Sequence, residues 1–196
     1  MNQQYPSLSA QNIVAFLQTL FDNCNDAYLG EAVTVSQHML QGATLAQRGG
    51  MPDEVIVGAL LHDIGHMVSP LGTFAIDDTW DRHHENSGAR LLAGYFPQVV
   101  VDCVRHHVAA KRFLCATQPD YFDRLSQASV HSLQLQGGPM TADEVAEFER
   151  LPNLETILQV RYLDEAGKCP AMNTPGFSHF APQVQRLVDA HLQAGY

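Results

Sequence analysis

Ten histidines stand in this chain, against eleven lysines and arginines together. Seven of the ten lie between positions 38 and 107: His38, then His62 with Asp63 beside it, His66, the pair His83-His84 and the pair His106-His107, with Asp164 following later. If these positions are helical, each helix contributes one cluster, which is how a bundle assembles a metal centre from ligands sent inward by facing helices. His62 and Asp63, adjacent near a helix end, diverge by about 100° around the axis, so both can serve one centre. Imidazole and carboxylate donors suit iron, manganese, zinc or nickel. Cys24, Cys103, Cys115 and Cys169 show no CxxC spacing, which disfavours a thiolate zinc site or a disulfide framework and fits a reducing cytoplasm. Any one of these histidines alone is more readily a core or surface residue. The whole set on successive helices is what points to metal.

The elements that must carry these residues read as helices almost throughout. Ile13, Val14, Phe16, Leu17, Leu20 and Phe21 recur at the period of one buried helical face. A second helix is expected over about 32–46 with Val35, Met39, Ala43 and Ala46 inward, ended by Gly49-Gly50. Pro52 then suits a first helical position, and Asp53 and Glu54 suit the positive end of the dipole. The apolar run Val55–Leu61 makes this the most buried helix, with His62-Asp63 near its end. From Ser69 to Trp80 the chain turns irregular. Helices resume at about 82–94, 97–113, 120–135, 141–149, 153–166 and 180–193, broken by Gly137-Gly138-Pro139 and Gly167. Few segments alternate with period two, so the fold class is all-α.

At 196 residues and 21.6 kDa the chain suits a single domain spanning 1–196. Its 45% hydrophobic and 16% charged content excludes disorder as the main state. A formal charge of -10 makes it a poor general nucleic-acid binder, since phosphate contacts need clustered cations. No apolar run reaches the roughly 18 residues of a membrane span. The start, MNQQYPSLSAQN, has no basic region ahead of an apolar stretch, so no signal peptide is expected, and the expected location is cytoplasmic.

The order His38, His62-Asp63 and late Asp164 resembles the HD-domain superfamily of helical metalloproteins, most of which are phosphohydrolases. The further histidines at 83–85 and 106–108 resemble its dinuclear subgroups. Within those, the chain looks like the phosphonate-cleaving mixed-valent diiron oxygenases related to myo-inositol oxygenase. That likeness is carried by Tyr28-Leu-Gly-Glu31-Ala, Ala59-Leu-Leu-His62-Asp63-Ile-Gly-His66 and His107-Val-Ala-Ala-Lys111-Arg112. It continues through Leu125-Ser-Gln-Ala-Ser129, Gln136-Gly-Gly-Pro-Met140 and Arg161-Tyr-Leu-Asp164-Glu-Ala-Gly-Lys168. The HDIGH segment is shared by many hydrolases; HVAAK and QGGPM are more diagnostic.

The resemblance implies an HD-domain helical bundle, its metal-binding core at about 28–168, with a buried dinuclear site. Its ligands would be His38, His62, Asp63, His84, His107 and Asp164, with Asp63 bridging. His84 is preferred to His83 because it completes His-Glu with Glu85, and His107 to His106 because it precedes Val-Ala-Ala-Lys. The implied cofactors are two iron ions, Fe(II)/Fe(III), with O2 as co-substrate. Lys111, Arg161, Ser129, Ser126 and an imidazolium at His66 would hold a phosphonate, His66 and Lys111 being the catalytic pair. Tyr28 and Glu31 would sense the substrate's amino group, within a pocket formed partly by Asp22–Tyr28, where Cys24 and Asn25 would tune it. The implied reaction cleaves the C–P bond of a 1-hydroxy-2-(amino or trimethylamino)ethylphosphonate, giving phosphate and glycine or glycine betaine. The expected partner is that small organophosphonate, with neither nucleic acid nor membrane, the chain working as a monomer or weak homodimer. Besides a related diiron oxygenase with a different substrate, two readings compete. One is a metal-dependent phosphohydrolase of the same fold, which would need no O2; the other is a metal-loaded helical sensor, which an incomplete ligand set would favour.

Overall fold

A computed structural model describes residues 7–28, 31–69 and 79–195. Most of the irregular stretch expected between Ser69 and Trp80 lies outside them. Among the described residues the chain is helical, with one isolated bridge between Ala27 and Thr34. The helices are α1 (Ile13–Asn23), α2 (Val35–Arg48), α3 (Asp53–Leu61), α4 (Gly65–Val68), α5 (His84–Leu92), α6 (Gln98–Thr117), α7 (Gln127–Leu135), α8 (Ala142–Phe148), α9 (Leu154–Ala166) and α10 (Phe177–Gln193). No described helix is long and apolar enough to cross a membrane.

Helix α3 sits in the middle, packed against α2, α6, α9 and α10. Val55 through Leu61 are all buried, as a helix apolar on every side requires. Ile13, Leu17 and Phe21 face inward from α1 toward α10, where Phe21 meets Phe177 at 4.9 Å between ring centroids. Val35, Met39, Ala43 and Ala46 of α2 are buried as their spacing predicts.

Local chemistry sets the boundaries. Thr34 and Gln37 form a reciprocal capping box that starts α2, so this helix begins three residues later than the hydrophobic pattern suggests. Thr141 and Glu144 do the same for α8. The single helix expected over 120–135 is instead a 3-10 turn at Phe122–Arg124, an extended Leu125, and α7. Ser126 causes the break: its Oγ accepts the Ser129 N–H and caps α7. Helix α6 runs four residues past the expected 113, and α10 starts three before the expected 180. QGGPM forms the turn between α7 and α8, with Gly137 and Gly138 at φ 95° and 74°. Arg112 clamps it, donating from Nε to the Gly138 carbonyl at 2.8 Å and from its terminal nitrogen to Glu144 at 2.8 Å.

Candidate metal centre

Six side chains from five parts of the fold meet at the centre: His38 from α2, His62 and Asp63 from the turn after α3, His84 from α5, His107 from α6 and Asp164 from α9. Each is buried. Their donor atoms fall into two groups. In one, His38 Nε2 lies 3.0 Å from His62 Nε2 and 3.2 Å from Asp164 Oδ1, with Asp63 Oδ2 at 3.4 Å from His62 and 3.6 Å from His38. In the other, His84 Nε2 and His107 Nε2 lie 3.0 Å apart, at 3.0 and 3.1 Å from Asp63 Oδ1. Asp63 thus gives one oxygen to each group.

The backbone decides which nitrogens face inward. Carbonyls can only accept, so Nδ1–H donates to Gly167 from His38 at 2.9 Å, to Ala59 from His62 at 2.8 Å and to Val104 from His107 at 2.8 Å. In the neutral rings the inward Nε2 atoms of His38 and His62 therefore turn lone pairs toward each other, and a cation between them relieves the repulsion. Two donors each ~2.1 Å from one metal ion, at near right angles, lie ~3.0 Å apart, which is the spacing both histidine pairs show. Asp63 Oδ2 and Asp164 Oδ1 are buried without a hydrogen-bond donor. Donor chemistry, spacing and orphaned oxygens all fit the binding of metal, which His38, His62 and Asp164 in one group and Asp63, His84 and His107 in the other would hold.

The electrostatics show the same demand for positive charge. Burial alone would lower the pKa of His62, yet Asp63 and Asp164 raise it to about 9. Burial would raise those of Asp63 and Asp164, but His62 and its neighbours hold the first, and Arg161 the second, well below the carboxylate range. His84 differs from the other imidazoles: its Nδ1 has no hydrogen-bond partner, and the nearest carboxylate oxygen is Glu85 Oε2 at 3.7 Å.

Two glycines let the ligand helices approach. A Cβ on Gly65, the glycine of HDIGH, would lie 1.9 Å from the His84 carbonyl oxygen. One on Gly167 would lie 2.9 Å from the His38 carbonyl. Neither role is visible in the sequence, because each depends on a neighbour distant along the chain.

A cleft opens beside the second group, lined by Tyr28, His66, Val108, Lys111, Ser129, Ser132, Gln136 and Arg161 together with metal-set residues. Lys111 is buried and donates to Ser132 Oγ at 2.7 Å; burial first, then Arg161, lowers its pKa to about 7. Arg161 donates from Nε to Tyr121 at 2.8 Å and pairs with Asp164 and Glu165. Tyr28 stacks on His38 at 4.0 Å between ring centroids. Ser132 escaped the sequence reading, although its spacing from Ser129 places both on one face of α7; Gln136, read only as the start of QGGPM, lines the cleft from the cap that ends α7.

Several of the expected residues sit apart from this cleft or in another setting. Ser126 caps α7 and is not among the cleft-lining residues. Burial first, and then the neighbouring His84, push the His66 pKa well below its ordinary value, which disfavours the expected imidazolium; the ring stacks on His84 at 3.9 Å. Glu31 does not line the cleft with Tyr28, and one of its oxygens is buried without a hydrogen bond. Cys24 and Asn25 also lie off the cleft, where Ser36 Oγ donates to the Cys24 carbonyl and ties the loop to α2. His83 is exposed in a left-handed conformation before α5, between Asp81 and Glu85, while His106 packs edge-on against Phe148.

A helical bundle with two buried histidine-carboxylate groups sharing one aspartate defines a class, and residues 35–166 match the HD domain model. The chain belongs to the HD-domain family. It is 62% identical over 188 residues to the [1-hydroxy-2-(trimethylamino)ethyl]phosphonate dioxygenase (glycine-betaine-forming) of Leisingera caerulea, covering 95% of this chain and 96% of that one. It is 37% identical over 180 residues to the hydroxymethylphosphonate dioxygenase of Gimesia maris, covering 90% and 88%.

Proposed function

We propose that this chain uses O2 to cleave the C–P bond of 1-hydroxy-2-(trimethylamino)ethylphosphonate, releasing glycine betaine and phosphate. The observation that carries the reading is the pair of donor groups sharing Asp63 and opening onto a cleft with a buried lysine and arginine. Similarity to two phosphonate dioxygenases supports it over hydrolysis. In the balanced reaction the C–P bond breaks, one oxygen atom of O2 enters the carboxylate, the other enters phosphate, and one proton is released.

We assign the centre to two iron ions in the Fe(II)/Fe(III) state, held by His38, His62, Asp63 and Asp164 on one side and by Asp63, His84 and His107 on the other. Bound there, the pair supplies the redox chemistry that O2 needs and a Lewis-acid seat for the substrate's oxygens. The protein supplies the rest. Lys111 and Ser129 meet the phosphonate, and Arg161 adds positive charge while its own bonds hold it against Asp164. His66, with Nδ1 unpartnered, can accept a hydrogen bond from the substrate hydroxyl and orient it. Among the described cleft-lining residues every carboxylate belongs to the metal set, so a primary ammonium would lack a carboxylate partner of its own. A trimethylammonium needs none and is suited by the aromatic face of Tyr28.

The test is phosphate release by iron-loaded protein, in air and without O2, from the trimethylated substrate, its primary amine and hydroxymethylphosphonate. Release should need both iron and O2 and be fastest with the trimethylated compound. Phosphate formed equally without O2 would replace this reading with the hydrolase.

A further inference from the structure

Two serines one turn apart on α7 are each clasped by a lysine, and their hydrogens go to different places. Ser132 Oγ accepts from Lys111 and donates its own hydrogen to the Ser129 carbonyl at 3.1 Å. Ser129 Oγ accepts from Lys168 Nζ at 2.8 Å. An ammonium has donors only, so the Ser129 hydrogen cannot point back along that contact. Ser129 lines the cleft and Lys168 does not. Lys168 also donates to Glu165 Oε1 at 2.9 Å, and the other oxygen of Glu165 pairs with Arg161.

The turn that carries Lys168 is fastened on both sides. The carbonyl of Gly167 accepts from the His38 ring, while the backbone N–H and carbonyl of Cys169 bond the Gln41 side chain at 2.9 Å each. Lys168 is therefore held in place by the same turn that orients a metal-site histidine.

We propose that Lys168 is a positioning residue for the anionic end of the substrate. It occupies one acceptor site of Ser129, so the hydroxyl hydrogen is left to be donated into the cleft, and through Glu165 it holds Ser129 in register with Arg161. This rests on the phosphonate reading above and deepens it, naming a residue that touches no substrate atom.

The test measures binding without turnover. Iron-loaded protein is titrated without O2 with 1-hydroxy-2-(trimethylamino)ethylphosphonate and, separately, with inorganic phosphate. Ser129→Ala and Lys168→Met should each weaken both ligands about tenfold. The double variant should be no weaker than the poorer single, because the lysine acts through the serine. Lys168→Arg, also a pure donor, should recover most of the affinity. If Lys168→Met does not fold, Lys168→Gln gives the same reading: its shorter amide can turn an oxygen to Ser129 and take the hydrogen, so the loss should persist. Unchanged binding by these Lys168 variants, or losses that multiply in full with Ser129→Ala, would overturn the proposal alone. Failure of the wild-type protein to bind the phosphonate at all would overturn the functional reading and this proposal with it.

Discussion

Asp63 is the residue on which both halves of the centre depend, since each of its oxygens faces a different histidine pair. Asn in its place keeps the shape but leaves one oxygen donor and an amide that cannot ligate. Asp63→Asn is predicted to lower bound iron from two toward one or none, read by metal analysis, and to reduce turnover by at least ~100-fold. Lys111 shows the opposite compromise. Its folded pKa of about 7 lies below the ordinary 10.5, so below pH 7 the folded state bears the full cost of a buried ammonium. Between the two values the unfolded chain keeps a proton that the folded one has lost, so this residue's contribution to stability improves as pH rises. Lys111→Met should therefore raise the melting temperature of the metal-free protein more at pH 6 than at pH 9, while weakening phosphonate binding. A loss of stability equal at both pH values would contradict that. At this scale much was legible: the choice of His84 over His83 and of His107 over His106 rests on the neighbouring Glu85 and Val-Ala-Ala-Lys, and the inner pair is the one that meets Asp63. Ser126 was not, because a serine three residues before another reads equally well as a helix cap or a ligand contact.

Three of the helices that bring residues to the centre are placed by different local devices. Helix α2 is started by a capping box that fixes where His38 falls, α3 by Pro52 with two acidic residues, and α5 by close contact with the glycine of HDIGH. The alternation of apolar and polar positions made these helices readable, and α1, α2 and α3 run close to where it places them. The break before α7 was hidden because the apolar pattern continues through it and a single hydroxyl decides it. The role of Gly65 could not be read locally, since only its contact with α5 gives it meaning. Gly65→Ala is predicted to destabilise the fold by about 1–3 kcal/mol through overpacking and to displace His84. It should lower metal content as well as melting temperature. Gly94→Ala is the useful contrast: a Cβ there meets nothing within 4 Å, although its φ of 88° strains the backbone, so it should cost stability without loss of metal.

Over the whole molecule, a protein with a formal charge of -10 takes an anion by concentrating cations locally. Lys111, Arg161 and Lys168 are gathered by α6, α9 and the turn after α9, and the metal ions would add to them. The ten histidines and the HD pattern announced a helical metalloprotein. The hydrogen-bond chain from Lys168 through Glu165 and Arg161 to Asp164 runs at three- and four-residue spacings along α9 and the turn after it, and only the link from Lys168 to Ser129 of α7 needed the tertiary fold. With its metal removed by a chelator, the protein should melt at lower temperature, because the orphaned oxygens of Asp63 and Asp164 then lack their cation. A melting temperature unmoved by metal would argue against a filled site in the folded protein. The most direct measurement is turnover of 1-hydroxy-2-(trimethylamino)ethylphosphonate by iron-loaded protein under 18O2, with mass analysis of both products and O2 uptake. One labelled oxygen should appear in glycine betaine and one in phosphate, with one O2 consumed for each phosphate formed. Unlabelled products and no O2 uptake would contradict oxygenation at this centre.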